Sequence, residues 1–366
     1  MPPVSVLIKP ASGNCNMRCS YCFYCDEMAN RTEAQYGMMS VQTLESVVKK
    51  ALRAADGSCS FAFQGGEPTL AGLDFFKQAV ALQKSYNTRG LQVQNALQTN
   101  GWALNEEWAA FFKENNFLIG LSLDGTEAVH DMFRKDTRGE GTFQRVLSAA
   151  KLLQKHGVQF NILTVVNAET AKHGKDIYRF FKQQGFGWLQ FIPCLDPLKG
   201  TKQDYSLTAK AYGTFLCDVF SLWYKDVLAG KAPSIRTFDN WLGMLLGYPP
   251  EECGMCGQCA AYFCVEADGS AYPCDFYVLD EYRLGSFVTD SIPQMDQRRK
   301  ELRFVQQSLA VPQKCRECRW YSLCRNGCRR AREDGINRFC EGYARFFETC
   351  GERLGILAGH IAKKNK

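Results

Sequence analysis

The sequence predicts an α/β fold built on a parallel sheet and followed by a compact cysteine-rich region. Up to about residue 235, short apolar runs alternate six times with amphipathic stretches, the pattern of successive β-then-α units joined by right-handed crossovers. Between Cys253 and Cys340 that rhythm stops and cysteines crowd together. The chain has 366 residues, 46% of them hydrophobic, enough for one large domain and a smaller one. Six units suit a partial (β/α)6 barrel. A doubly wound open sheet shares the periodicity, and the pattern alone leaves both open.

The elements follow in order. Strands are expected over 4–9, 60–64, 93–98, 118–123, 159–165 and 188–192, each a short apolar run bounded by polar or glycine-containing turns. Helices are expected over 41–55, 73–85, 106–115, 143–156 and 170–184, where apolar residues recur at helical spacing. A longer helix is expected over 207–228 and a closing amphipathic helix over 343–362. The region between holds few periodic segments, so its stability is expected to come largely from bound metal. The expected division is 1–235, 236–342 and a C-terminal helix within 343–366. In such folds the active site sits on loops after the C-terminal ends of strands.

Composition narrows the function. No run approaches the roughly twenty apolar residues that span a bilayer. The start, Met1-Pro2-Pro3-Val4-Ser5, lacks a charged stretch followed by an apolar one, so no secretory signal is read and a cytoplasmic location is expected. In a reducing compartment, 18 cysteines point to metal ligands rather than disulfides. The four histidines are scattered, against a histidine metal site or a Ser-His-Asp hydrolase. A net charge of +6 is modest, and basic pairs such as Arg329-Arg330 read as solvated faces, so neither nucleic acid nor membrane is an expected partner.

The motifs carry the chemistry. Cys15, Cys19 and Cys22 stand as C-x3-C-x2-C on the loop after the first strand. A [4Fe–4S] cluster takes four ligands, so three thiolates leave one iron open to a small molecule. A zinc knuckle fits the spacing equally well. Tyr21 puts a ring beside the site. After the second strand comes Gly65-Gly66-Glu67-Pro68, where two glycines let the backbone turn sharply and approach a ligand. Gln98 to Gly101 end the third strand, Ser122 to Gly125 the fourth, and Arg134 follows; an arginine fork suits a carboxylate.

This order resembles the radical S-adenosylmethionine enzymes. The resemblance implies that the cofactor's amine and carboxylate chelate the open iron. It further implies that Gly65, Gly66 and Glu67 meet the methionyl amine, Ser122 the ribose, Arg134 the carboxylate and the Leu195 backbone the adenine. Downstream, Cys259-x9-Gly269-x4-Cys274 precedes Cys315-x2-Cys318-x5-Cys324-x3-Cys328 and Cys340. These resemble the SPASM domain, which carries auxiliary iron–sulfur clusters; a pair of zinc ribbons is the alternative. The resemblance implies one cluster on Cys253, Cys259, Cys274 and Cys328 and another on Cys315, Cys318, Cys324 and Cys340. Cys256 and Cys264 compete with Cys253 for the eighth place. Cys25, Cys59, Cys194, Cys217 and Cys350 read as small buried residues.

Across nearly its whole length the chain resembles the anaerobic sulfatase-maturating enzymes. That implies S-adenosylmethionine and three [4Fe–4S] clusters as cofactors, an electron donor such as flavodoxin or ferredoxin, and a sulfatase polypeptide as substrate. Its cysteine or serine would be oxidised to Cα-formylglycine after hydrogen abstraction at the β-carbon. Asp275, directly after Cys274, would be the general base, and Tyr24, Gln64 and Arg236 would line the peptide cavity. A peptide maturase forming thioether or other crosslinks is the rival enzyme; a non-catalytic electron-transfer or zinc protein has no use for the Gly-Gly-Glu-Pro turn.

Overall fold

The structure is a computed structural model that describes residues 3–364. The six expected strands form as β1 (Val4–Ile8), β2 (Ser58–Phe63), β3 (Gln92–Thr99), β4 (Leu118–Ser122), β5 (Phe160–Val166) and β6 (Trp188–Pro193). Helices intervene at Val41–Ala54, Leu73–Tyr86, Glu106–Glu114, Phe143–Lys155 and Gly174–Gln183. Capping residues set several of these starts. The Ser40 hydroxyl accepts from the Thr43 amide and the Asn105 side chain from the Trp108 amide, satisfying donors that lack a partner within the helix.

The expected helix over 170–184 is interrupted: Thr170–His173 is a 3-10 turn and the α-helix begins at Gly174. A Cβ at Gly174 would lie 2.9 Å from the Phe215 ring, so the chain passes too close to the next helix for any larger residue there.

The chain groups into two compact units. The first holds residues up to Leu123, Asp131–Phe160 and Ala261–Phe304. In it β1 pairs in parallel with β2, β2 with β3 and β3 with β4. Buried and part-buried residues alternate along β2, and its inward Phe63 meets Phe76 at 5.0 Å, which in turn meets Trp108 at 5.3 Å. The free edge of β1 is occupied by Phe263–Val265, paired in parallel with Val6 opposite Phe263 and Ile8 opposite Val265. A tight turn through Asp268-Gly269 returns the chain antiparallel as Ser270–Tyr272, with Gly269 at φ +89°.

The second unit holds Asp124–His130, Asn161–Ala260 and the chain from Val305 onward. Here β5 and β6 are parallel and Ser234–Ile235 extends the β6 edge. Helices Ala209–Leu228 and Cys340–Lys364 meet at two glycines: a Cβ on Gly213 would stand 2.7 Å from the Gly342 carbonyl oxygen. Beyond that crossing Phe220, Phe238, Trp241 and Phe346 form an aromatic cluster, with Trp241 and Phe346 4.7 Å apart.

Candidate functional site

The first cysteine of the loop, Cys15, comes five residues after Pro10, and the loop ends where helix Phe23–Ala29 starts, with Cys22 at its N-cap. Turn hydrogen bonds from Cys22 to the Cys19 carbonyl and from Cys25 to the Cys22 carbonyl wind this end of the loop. Donors face the sulfurs. The Met17 amide lies 3.3 Å from Cys15 Sγ, Asn100 Nδ2 3.7 Å from the same atom, and Arg134 Nη1 3.9 Å from Cys19 Sγ. The Arg134 guanidinium also lies over the buried Tyr21 ring, 5.6 Å from its centre.

Desolvation by the surrounding loop pushes the Cys15 thiol up to about 12, and the nearby Glu67, Cys19 and Cys22 add to the rise. Cys22 goes the other way, to about 6, chiefly through its hydrogen bond with Cys25 and with help from Arg134. Cys25 itself is exposed rather than buried, because Tyr24 and Glu27 take the inward face of its helix. Among the described residues no three such side chains already stand in a metal-binding group. The donor set nonetheless fits an iron–sulfur cluster with one open iron: three thiols, backed by amide and guanidinium donors of the kind that stabilise anionic sulfur.

The glycines of the next loop are sterically required. Gly65 has φ +98°, and a Cβ at Gly66 would fall 2.0 Å from the Asn14 carbonyl oxygen. The Glu67 amide donates to that same carbonyl at 2.7 Å, which stitches the turn to the cysteine loop. Glu67 is buried, and its Oε1 accepts from the Thr69 amide, the Thr69 hydroxyl and the Thr99 hydroxyl, while Oε2 accepts from the Asn100 amide. The Glu67 carboxylate thus fastens the end of β2 to the end of β3. Glu67→Ala strands these donors and should cost about 3 kcal/mol, read as a lower denaturation midpoint at constant m-value. Ser122, at the end of β4, accepts a hydrogen bond from Gln98 Nε2 at 2.9 Å.

Asp275 lies buried on the same unit. Its Oδ2 accepts from the Tyr24 hydroxyl at 2.7 Å and from Gln64 Nε2 at 3.0 Å, and Gln64 Nε2 also donates to Tyr24 at 2.8 Å. The Asp275 amide donates to the Tyr262 oxygen at 2.9 Å, and the Tyr262 hydroxyl donates to Cys274 Sγ at 3.4 Å. Desolvation raises the Asp275 carboxyl above the usual carboxylate range, with Lys9 and the Tyr24 hydrogen bond opposing. The predicted base and two of the predicted cavity residues therefore form one hydrogen-bonded group.

Beneath it is a set of buried charges that the sequence pattern does not reveal. Lys9 Nζ is 2.9 Å from Glu266 and 3.9 Å from Glu27, and lies over the Tyr24 ring at 4.7 Å. Arg31 Nη1 reaches Glu266 at 2.7 Å. Burial lifts the Glu27 carboxyl to about 8 against the pull of Lys9. The available signal was a lysine closing an apolar strand, Val6-Leu7-Ile8-Lys9, and a glutamate directly after Val265; a charge at such a position needs a buried partner.

The remaining cysteines are divided by unit. In the second unit Cys253 and Cys259 both raise the Cys328 thiol, after burial as the main cause, so these three are neighbours. Cys315, Cys318 and Cys340 act in the same way on Cys324. Cys274 belongs to the first unit. Of the competitors for the eighth place, Cys256 points at the carbonyls of Pro250 and Glu252, and Cys264 is fully buried 3.7 Å from Asp275 Oδ1. Leu195 follows β6, and Arg236 opens the helix Arg236–Leu245, which the sequence pattern missed. The Arg236 Nε is buried without a hydrogen-bond partner among the described residues.

The same segments match known proteins. The model of the radical SAM superfamily matches residues 10–181, and that of an iron–sulfur cluster-binding domain, SPASM, matches residues 251–319. The chain is 48% identical, over 99% of its length and 99% of the relative's, to a cysteine-type anaerobic sulfatase-maturating enzyme of Clostridium novyi. It is 32% identical to a serine-type enzyme of that name from Bacteroides thetaiotaomicron, over 97% of this chain and 91% of the other. A solved structure of native anSMEcpe with bound AdoMet and Cp18Cys peptide superposes with a TM-score of 0.93 at 47% identity, covering 98% of this chain and all (100%) of that one.

Proposed function

The chain belongs to the anaerobic sulfatase-maturating enzymes of the radical SAM superfamily, and from that membership we propose that it oxidises a sulfatase cysteine to Cα-formylglycine. It is an oxidoreductase that uses S-adenosylmethionine and iron–sulfur clusters. The choice of cysteine over serine rests on the higher identity to the cysteine-type relative, 48% against 32%.

The residues take these proposed roles. Cys15, Cys19 and Cys22 hold the first cluster. Gly65, Gly66 and Glu67 shape the turn that receives the methionyl amine, with Tyr21 and Arg134 beside it, Ser122 at the ribose and the Leu195 backbone at the adenine. Bound there, S-adenosylmethionine and its cluster supply the radical that removes a β-hydrogen, and the auxiliary clusters supply an electron sink. Cys253, Cys259, Cys274 and Cys328 would ligate one auxiliary cluster and Cys315, Cys318, Cys324 and Cys340 the other, with domains at 1–235, 236–342 and 343–366. Cys253 is preferred for the eighth place because it neighbours Cys259 and Cys328, whereas Cys264 is spent beside Asp275.

The observation that carries the reading is the Tyr24–Gln64–Asp275 group. Asp275 takes the thiol proton of the substrate. Tyr24 and Gln64 hold its Oδ2 by two donors and the Cys264 thiol lies 3.7 Å from Oδ1, which together fix the orientation of the carboxylate. A carboxyl raised by burial is better matched to a thiol than an ordinary one. Arg236, with Nε unpaired among the described residues, is a candidate for the substrate backbone.

A reduced electron carrier of the flavodoxin or ferredoxin class is proposed as donor, and a cytoplasmic location follows from the need to keep so many thiols reduced. No helix among the described residues is long and apolar enough to cross a membrane. The test is mass spectrometry on a peptide carrying a C-x-P-x-R segment, incubated anaerobically with enzyme, S-adenosylmethionine and reductant. Loss of the cysteine sulfur with gain of an aldehyde is expected. A product lighter by two hydrogens within a crosslink would overturn the proposal in favour of peptide crosslinking.

A further inference from the structure

The short segment after β6 is held unusually firmly within the second unit. The Cys194 amide donates to the Val166 carbonyl at the end of β5, 2.9 Å away. Arg338 then engages two acceptors at once: Nη1 donates to the Asp196 carboxylate, and Nη2 donates to the Cys194 carbonyl at 2.5 Å. Arg330 Nη2 donates to the Asp196 carbonyl at 2.7 Å. Two guanidinium groups therefore hold the carbonyls of the residues on either side of Leu195, those of Cys194 and Asp196. Arg338 is largely buried, and its guanidinium lies over the Phe339 ring at 4.4 Å; that ring packs against Tyr212 at 5.0 Å. The anchors have telling positions in the chain. Arg330 stands two residues after Cys328, and Arg338 two residues before Cys340.

We propose that Arg338, assisted by Arg330, is a positioning residue for S-adenosylmethionine: it sets the Leu195 backbone that receives the adenine and so couples cofactor affinity to the order of the cysteine-rich segment. The proposal rests on the reading of Leu195 as the adenine contact. A backbone contact contributes most to affinity when its geometry is fixed before the ligand arrives, since little ordering entropy is then lost on binding. A guanidinium suits the task because its planar fork holds a carboxylate and a carbonyl in one plane, which an ammonium does not reproduce. The coupling runs both ways: whatever orders the Arg330–Arg338 stretch tightens cofactor binding, and bound cofactor favours that order.

The test uses the full-length reconstituted enzyme and equilibrium binding of S-adenosylmethionine without reductant. Arg338→Ala should raise its Kd and KM about tenfold, while kcat at saturating cofactor falls by less than about threefold and the peptide KM holds. Arg338→Lys, which keeps the charge but loses the fork, should lie between. Should Arg338→Ala lose iron, Asp196→Asn carries the test, because it removes the carboxylate that holds the Arg338 fork in place and so loosens its bond to the Cys194 carbonyl. Unchanged Kd in a fully iron-loaded Arg338→Ala, or in Asp196→Asn, overturns the proposal. Leu195→Pro, which alters the backbone itself by removing its N–H and restricting φ, separates the two layers. If it leaves Kd unaltered, the adenine reading fails; if it weakens binding while Arg338→Ala and Asp196→Asn do not, only the positioning role fails.

Discussion

Replacing Cys15, Cys19 and Cys22 with alanine abolishes 5′-deoxyadenosine formation. The three thiols stand on one loop wound by its own turn hydrogen bonds, and amide and guanidinium donors already face Cys15 and Cys19. Alanine keeps the backbone and removes every sulfur, so the open-iron cluster has nothing to sit on, and iron content should fall by about four per chain as one [4Fe–4S] unit is lost. The fold has separate support here, because Glu67 ties the neighbouring strand ends together without the cysteines. Iron analysis and chromatography of the nucleoside product check the expectation together. Nucleoside release at the parent rate from the triple variant would falsify the cluster assignment.

The second large effect is a separation of two activities. Asp275→Asn should leave cleavage of S-adenosylmethionine near the parent rate and lower formylglycine yield by about 10²–10⁴-fold, the usual worth of a general base. Asparagine keeps the shape and accepts from Tyr24 and Gln64 through its oxygen, so the surroundings stay in place while proton affinity is lost. The measurement is the ratio of formylglycine to 5′-deoxyadenosine in one reaction. A ratio equal to the parent's removes Asp275 from the base role.

Much of this was legible in the sequence, and for physical reasons. Each of the six strands formed within a few residues of its apolar run because alternating burial on β2 and its neighbours leaves little choice of face. The Gly65-Gly66 turn was legible because the backbone at Asn14 excludes any side chain there. What the pattern hid depends on contacts distant in sequence. The strand Phe263–Val265 is three residues long, too short for a periodic signal, and its existence depends on the open edge of β1. The Lys9, Glu27, Arg31 and Glu266 group draws on three separate stretches, and only folding shows that two cations and two acids answer one another. The need for a glycine at 174 is hidden likewise, since the side chain that leaves no room for a Cβ there is Phe215 on a later helix.

β1 has one further consequence. The cysteine loop leaves from its end and the Gly-Gly-Glu-Pro turn from β2 on one side; on the other side Phe263–Val265 pairs with it, and Ser270–Tyr272 pairs with that strand before the chain reaches Asp275. Adjacent strands are spaced by about 4.8 Å, so the cysteine loop, the glycine turn and the approach to Asp275 are measured off a common ruler. Shifting Val4–Ile8 by a single residue would carry the cysteines along while leaving both flanking loops behind. An insertion or deletion within the five residues Val4–Ile8 would shift this register, whereas a change of length in the outer connections would leave it in place.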